Sequence, residues 1–158
     1  MLKIEKQDQE GTVTIRLAGE IDENVDFIKA IGPISGRLRV LTREVSRINS
    51  AGIRQWILYF EDLRKNGVPF WFEECSPAVV DQINFISNFT AGAEVKSIYL
   101  PFTCDQCNSE LMALVQCDEL LRNKLQTPTL PCTKCPSTVR FDEIHDEYFG
   151  FLKRVRVK

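Results

Sequence analysis

Histidine is nearly absent from this chain of 158 residues: His145 stands alone. Because imidazole is the side chain that titrates near neutrality, its scarcity leaves little for general acid-base chemistry and points away from an enzyme. No apolar run approaches the ~20 residues that a membrane-crossing helix requires. The opening MLKIEKQDQE is too charged for a secretion signal, so a cytoplasmic protein is expected. An excess of one charge is also missing. Twenty basic against 22 acidic groups give a net charge of −2, which calls for neither nucleic acid nor an acidic lipid surface. There is no internal repeat and no low-complexity tract. With 44% apolar residues the chain can bury a core.

What the sequence does hold is cysteine, unevenly placed. Five of the six follow residue 100, and four of those form two C-x-x-C pairs. The chain therefore divides near Pro101 into residues 1–100 and residues 101–158. Charge does not follow that division: the first part holds 12 basic and 14 acidic groups, the second 8 and 8.

Residues 1–100 alternate strand and helix signals, the pattern of an α/β domain. Leu2 and Ile4, then Val13, Ile15 and Leu17, recur at spacing two around Gln9-Glu10-Gly11, which predicts a hairpin. Leu38 to Val45 reads as another strand. At Asn49-Ser50 a side-chain oxygen can cap a helix whose apolar face is Ile53, Trp56, Ile57, Phe60 and Leu63, ending at Asn66-Gly67. Pro69 to Phe72 reads as a buried strand. Ser76-Pro77 opens a second helix through Ile86, and a last strand runs near Val95 to Leu100.

Taken in order, Gly19-Glu20-Ile21-Asp22, Ile48-Asn49-Ser50-Ala51-Gly52-Ile53, Gly67 before a strand, and Cys75-Ser76-Pro77-Ala78-Val79 resemble the STAS domain. This is the family of bacterial anti-sigma factor antagonists and sulfate-transporter tails, and the likeness spans about residues 2–100. It implies a mixed sheet with packed helices, no catalytic residue, and docking onto a regulatory protein, anti-sigma factor or kinase-like. The expected footprint is Asp22, Asn49, Ser50, Ala51 and Gly52. Regulatory members start the second helix with D-S-[ST]-G and are phosphorylated just before the glycine. Here Ala51 holds that position without a hydroxyl and Asn49 replaces the acid, so the switch is expected to be lost. Ser50 is expected to serve as a helix cap rather than as a substitute acceptor.

Cys104, Cys107, Cys132 and Cys135 form C-x2-C-x24-C-x2-C. Two facing knuckles of this kind supply the four tetrahedral thiolates that Zn²⁺ accepts. Residues 101–158 thus resemble a zinc ribbon, a small β-rich module with a structural Zn²⁺. Disulfides or a redox dithiol are the alternatives. Strands are expected at Leu111–Val115 and Val139–Phe141, with a short helix within 118–125. Asn108 can take the left-handed conformation useful after a knuckle, whereas Pro136 cannot. Without metal the second part is expected to be largely unfolded.

Cys75 and Cys117 read as small core residues, and His145 as part of a solvated acidic turn. Glu73-Glu74 receive no catalytic role. Lys153, Arg154, Arg156 and Lys158 make the tail basic, and binding of nucleic acid through the ribbon is the alternative function. The alternation in FLKRVRVK instead suggests a half-exposed strand. Tyr148 to Leu152 could cover the ribbon, join the two parts, or form a homodimer contact, and packing within the chain is the expectation.

Overall fold

The computed structural model describes residues 1–156. Its first sheet begins with the hairpin of β1 (Lys3–Gln9) and β2 (Thr12–Ile21). The two-residue turn places Glu10 at φ 51° and Gly11 at φ 78°. Two successive positive φ angles match the twist of the flanking strands, and Gly11 meets that demand without a Cβ penalty. Next come α1 (Phe27–Ile31), β3 (Arg37–Ile48), α2 (Ser50–Lys65), β4 (Phe70–Glu73), α3 (Pro77–Phe85) and β5 (Glu94–Val95). The order β1-β2-β3-β4-β5 is antiparallel at its first pair and parallel thereafter, so the fold is α/β with a mixed sheet and packed helices.

Alternation decides which face is covered. Val13, Ile15 and Leu17 of β2, Leu38 and Val40 of β3 and Phe72 of β4 are buried. Their neighbours Arg16, Arg39 and Glu73 lie on the open face, as the two-residue strand period requires. Helix α2 closes the covered face with Trp56, Tyr59, Phe60 and Leu63. The Trp56 ring stacks between Phe72 (5.5 Å) and Phe89 (4.8 Å), and its indole N–H donates to the Phe89 carbonyl at 2.8 Å. Each such buried aromatic contributes about 1.5–3 kcal/mol of burial. At the start of α3, the Ser76 hydroxyl accepts from the Val79 amide and donates to the Val45 carbonyl, tying the cap to β3.

The boundary expected near Pro101 falls inside a strand. Beyond β5 the chain continues as β6 (Ser97–Thr103), and the Cys75 amide donates to the Ser97 carbonyl while the Tyr99 amide donates to the Cys75 carbonyl. One extended run therefore starts beside β4 and ends as the middle of a second sheet, ordered β7-β6-β9-β8. Its other members are β7 (Glu110–Gln116), β8 (Leu130–Pro131) and β9 (Thr138–Phe141), with α4 (Cys117–Arg122) between β7 and β8.

The last elements, α5 (His145–Tyr148) and α6 (Gly150–Arg156), fold back onto the first part of the chain. Tyr148, Phe149, Phe151 and Leu152 belong to the same buried cluster as Val13, Trp56 and Phe72. The Tyr148 hydroxyl donates to the Tyr99 carbonyl, and Asn84 of α3 bonds both the Tyr148 carbonyl and the Phe151 amide. Packing within the chain is thus the role of this aromatic segment. The tail corrects the strand expectation: residues to Arg156 are helical, because Phe151 and Leu152, adjacent in sequence, are both buried. Val157 and Lys158 lie outside the described residues. Among the described helices, none is long and apolar enough to cross a membrane.

Candidate functional site

Two hairpins carry the cysteine knuckles. Cys104 follows β6 directly, and the turn closes when the Cys104 amide donates to the Ser109 carbonyl at 2.9 Å. Asn108 sits at φ 60°, the left-handed conformation its short amide side chain tolerates. Cys132 follows β8, and its amide donates to the Ser137 carbonyl at 2.7 Å. The hairpins face each other, so that all four sulfurs lie within 4.8 Å of one another. Cys104 Sγ is 3.5 Å from Cys135 Sγ, and Cys107 Sγ is 3.6 Å from Cys132 Sγ. A tetrahedron of sulfurs about 2.3 Å from a central ion has edges of about 3.8 Å. A disulfide requires about 2.05 Å, and all six cysteines are free thiols. Four cysteines, 104, 107, 132 and 135, thus form a cluster that can hold a metal ion, with Cys104 and Cys132 buried and Cys107 exposed.

The local electrostatics prepare some thiols more than others. The Ser109 hydroxyl and amide stabilise the Cys107 thiolate and bring its pKa down to about 6. The Ser137 amide, then its hydroxyl, lowers Cys135 in the same way. Cys104 differs. Amides of Cys107 and Gln106 favour its thiolate, but burial and the sulfurs of Cys135 and Cys107 outweigh them and push it up to about 11. A bound cation would remove that conflict by neutralising the crowded sulfurs. The two serines were missed in the cysteine count, although the sequence signals them: each knuckle reads C-x-x-C-x-S.

Outside the cage, Arg140 of β9 spans to Asp105 of the first knuckle at 3.1 Å and to Asp142 at 3.4 Å, linking the two hairpins. The groups are exposed, so the pairing contributes little beyond orientation. Cys75 and Cys117 are not members of the cage. Both are buried in the apolar core, where burial pushes each thiol up to about 12.

The residues expected to dock a partner gather at the end of β2 and the start of α2. Asp22 accepts from the Asn24 amide, and Glu23 accepts from the Asn49 side-chain amide at 2.9 Å. The Asn49 amide in turn donates to the Ile21 carbonyl. Asn49, Ser50 and Ala51 are exposed beside this loop. Gly52 is buried, and a Cβ there would lie 2.2 Å from the Ile21 carbonyl oxygen; it lets the helix approach β2. The capping expectation is corrected for Ser50. Asn49 is the cap, accepting from the Gly52 amide at 2.8 Å, while Ser50 is the first helical residue. Glu23, which orients Asn49, has no sequence signal of its own.

The remaining candidates have structural partners. Glu73 accepts from Arg39 at 2.7 Å and from the Trp71 indole at 2.6 Å. Burial alone would raise its pKa, but these bonds prevail and hold it below the usual carboxylate value. His145 Nε2 donates to the Leu125 carbonyl at 2.6 Å, and Nδ1 lies 3.1 Å from Asp146. Lys153 pairs with Asp146.

Comparison of the chain with protein-family models and with curated proteins returns no match.

Proposed function

We propose that this chain is a non-enzymatic regulatory adaptor of the bacterial cytoplasm, combining a STAS-like docking domain with a zinc ribbon. The observation that carries the ribbon reading is the four-sulfur cluster, all within 4.8 Å of one another and two pairs at 3.5 and 3.6 Å. Zinc accepts four thiolates in that geometry and has no ligand-field preference that resists it. Such a shell leaves no position for water, so the ion would hold the two hairpins together and activate nothing.

The docking reading is supported by the surface at the α2 N-terminus. Asn49, Ser50 and Ala51 are exposed next to the Asp22–Glu23 loop, and Gly52 fixes the helix against β2. A regulatory protein, anti-sigma factor or kinase-like, is the expected occupant. Ala51 offers no hydroxyl for phosphorylation, so the interaction would be constitutive or controlled elsewhere.

Affinity capture from the native organism, comparing wild type with Ala51→Asp, tests the docking reading. One specific protein retained by the wild type and lost by the variant is the expected outcome. Identical capture profiles from both proteins would contradict the assigned surface.

A further inference from the structure

The joined sheets leave two long outer strands, and these differ in chemistry. β1 carries Lys3, Glu5, Lys6 and Asp8 along its length. Charges of that kind discourage an edge from pairing with another chain. β7 reads Glu-Leu-Met-Ala-Leu-Val-Gln, seven residues with no lysine, arginine or proline and a single charge at one end.

The register fixes which backbone groups of β7 are open. It is paired antiparallel with β6, and the flanking bonds Cys117 amide to Lys96 carbonyl and Cys104 amide to Ser109 carbonyl set the phase. Leu111, Ala113 and Val115 therefore exchange hydrogen bonds with β6, while the N–H and C=O groups of Glu110, Met112, Leu114 and Gln116 point away from it. β7 pairs with no other strand among the described residues. Met112 and Leu114, each 44% exposed, stand along this free edge. A row of outward amides and carbonyls is satisfied best by another extended backbone.

We propose that β7 pairs antiparallel with β7 of a second copy of this chain, about a twofold axis at Ala113. This register sets Met112 opposite Leu114 of the second copy, a pair that exchanges two backbone hydrogen bonds, and Glu110 opposite Gln116, whose N–H donates to Glu110 while its carbonyl, at the α4 cap, serves the helix. On the other face Leu111 meets Val115, and Ala113 meets its own equivalent. Sliding the axis to Met112 would set Glu110 against Leu114; sliding it to Leu114 would set Met112 against Gln116. Only the central register matches apolar with apolar and polar with polar while keeping the outward groups in phase. The pairing is isologous and closed, so it ends at a dimer. It does not depend on the docking reading.

The test uses the full chain with its metal. Sedimentation equilibrium should show a concentration-dependent dimer. Leu114→Pro removes an outward N–H without touching the β6 ladder and should weaken the dimer by about a hundredfold, since the loss occurs at two symmetric positions. Met112→Lys, which alters only an exposed side chain, should weaken it too, and serves if the proline variant fails to fold. Hydrogen exchange should show the Met112 and Leu114 amides protected in the dimer and fast on dilution, while Leu111, Ala113 and Val115 stay protected throughout. A wild type that remains monomeric at high concentration, or a dimer indifferent to both substitutions, would overturn the proposal.

Discussion

The helix-covered sheet and the cysteine tip of the second sheet are ordered by different physics. In the first, Trp56, Phe60, Phe72 and Phe89 pack ring on ring, and order comes from removing apolar surface from water. In the tip, the two-residue β8 and the four-residue β9 bury little, and the knuckles converge on four sulfurs. β6 belongs to both, so the contrast lies within one continuous fold. The aromatic segment at the end of the chain strengthens the apolar side, since Tyr148 and Phe149 pack into the common core. Cys117, Leu120 and Leu125, between the knuckles, belong to that core too, so any dependence on metal would be confined to the knuckles and β8–β9 rather than extend over the whole of residues 101–158.

The largest expected effect follows from breaking the cage. Cys132→Ser should abolish metal binding, which provides roughly 10–16 kcal/mol in model zinc fingers. Limited proteolysis should then cut at the knuckles and within β8–β9 while β1 to β5 and α4 stay resistant. Resistance throughout the variant would show that the tip is apolar-ordered after all.

Gly52→Ala attacks the other regime. With a Cβ 2.2 Å from the Ile21 carbonyl oxygen, α2 must shift, at a cost of about 1–3 kcal/mol. Urea unfolding should report that loss while metal content per chain is unchanged. Tyr148→Phe probes the junction by deleting the hydroxyl that bonds the Tyr99 carbonyl. A loss of about 1 kcal/mol is expected, accompanied by faster amide exchange in α5 and α6. The smallest effect is expected for Asn49→Ala, which removes the α2 cap at about 1 kcal/mol or less. Asn49→Ser should restore part of it, because a hydroxyl also caps and, unlike a carboxylate, is not repelled by Glu23, which accepts from the Asn49 side chain.

Much of this is legible in the sequence. Glu10-Gly11, the apolar face of α2 and Ser76-Pro77 each combine a backbone requirement with a residue type that meets it, and all three formed as expected. The cysteine spacing brings four sulfurs together as expected because a knuckle is a local structure. What escaped was either short or tertiary. α1 has five residues, too few for a helical period to emerge. The tail alternates like a strand, yet α6 forms because Asn84, 67 residues away from Phe151, accepts its amide. The capping assignment slipped by one residue, since Asn49 and Ser50 can both cap and only the approach of Gly52 to β2 selects between them. The division at Pro101 followed a change in cysteine content, which carries no information about strand pairing.

X-ray absorption at the zinc edge of the purified, reduced chain tests the closed sulfur cage most directly. One zinc per chain with four sulfur neighbours at about 2.3 Å is the predicted result. A shell containing oxygen or nitrogen, or a folded chain that takes up no zinc at all, would contradict it.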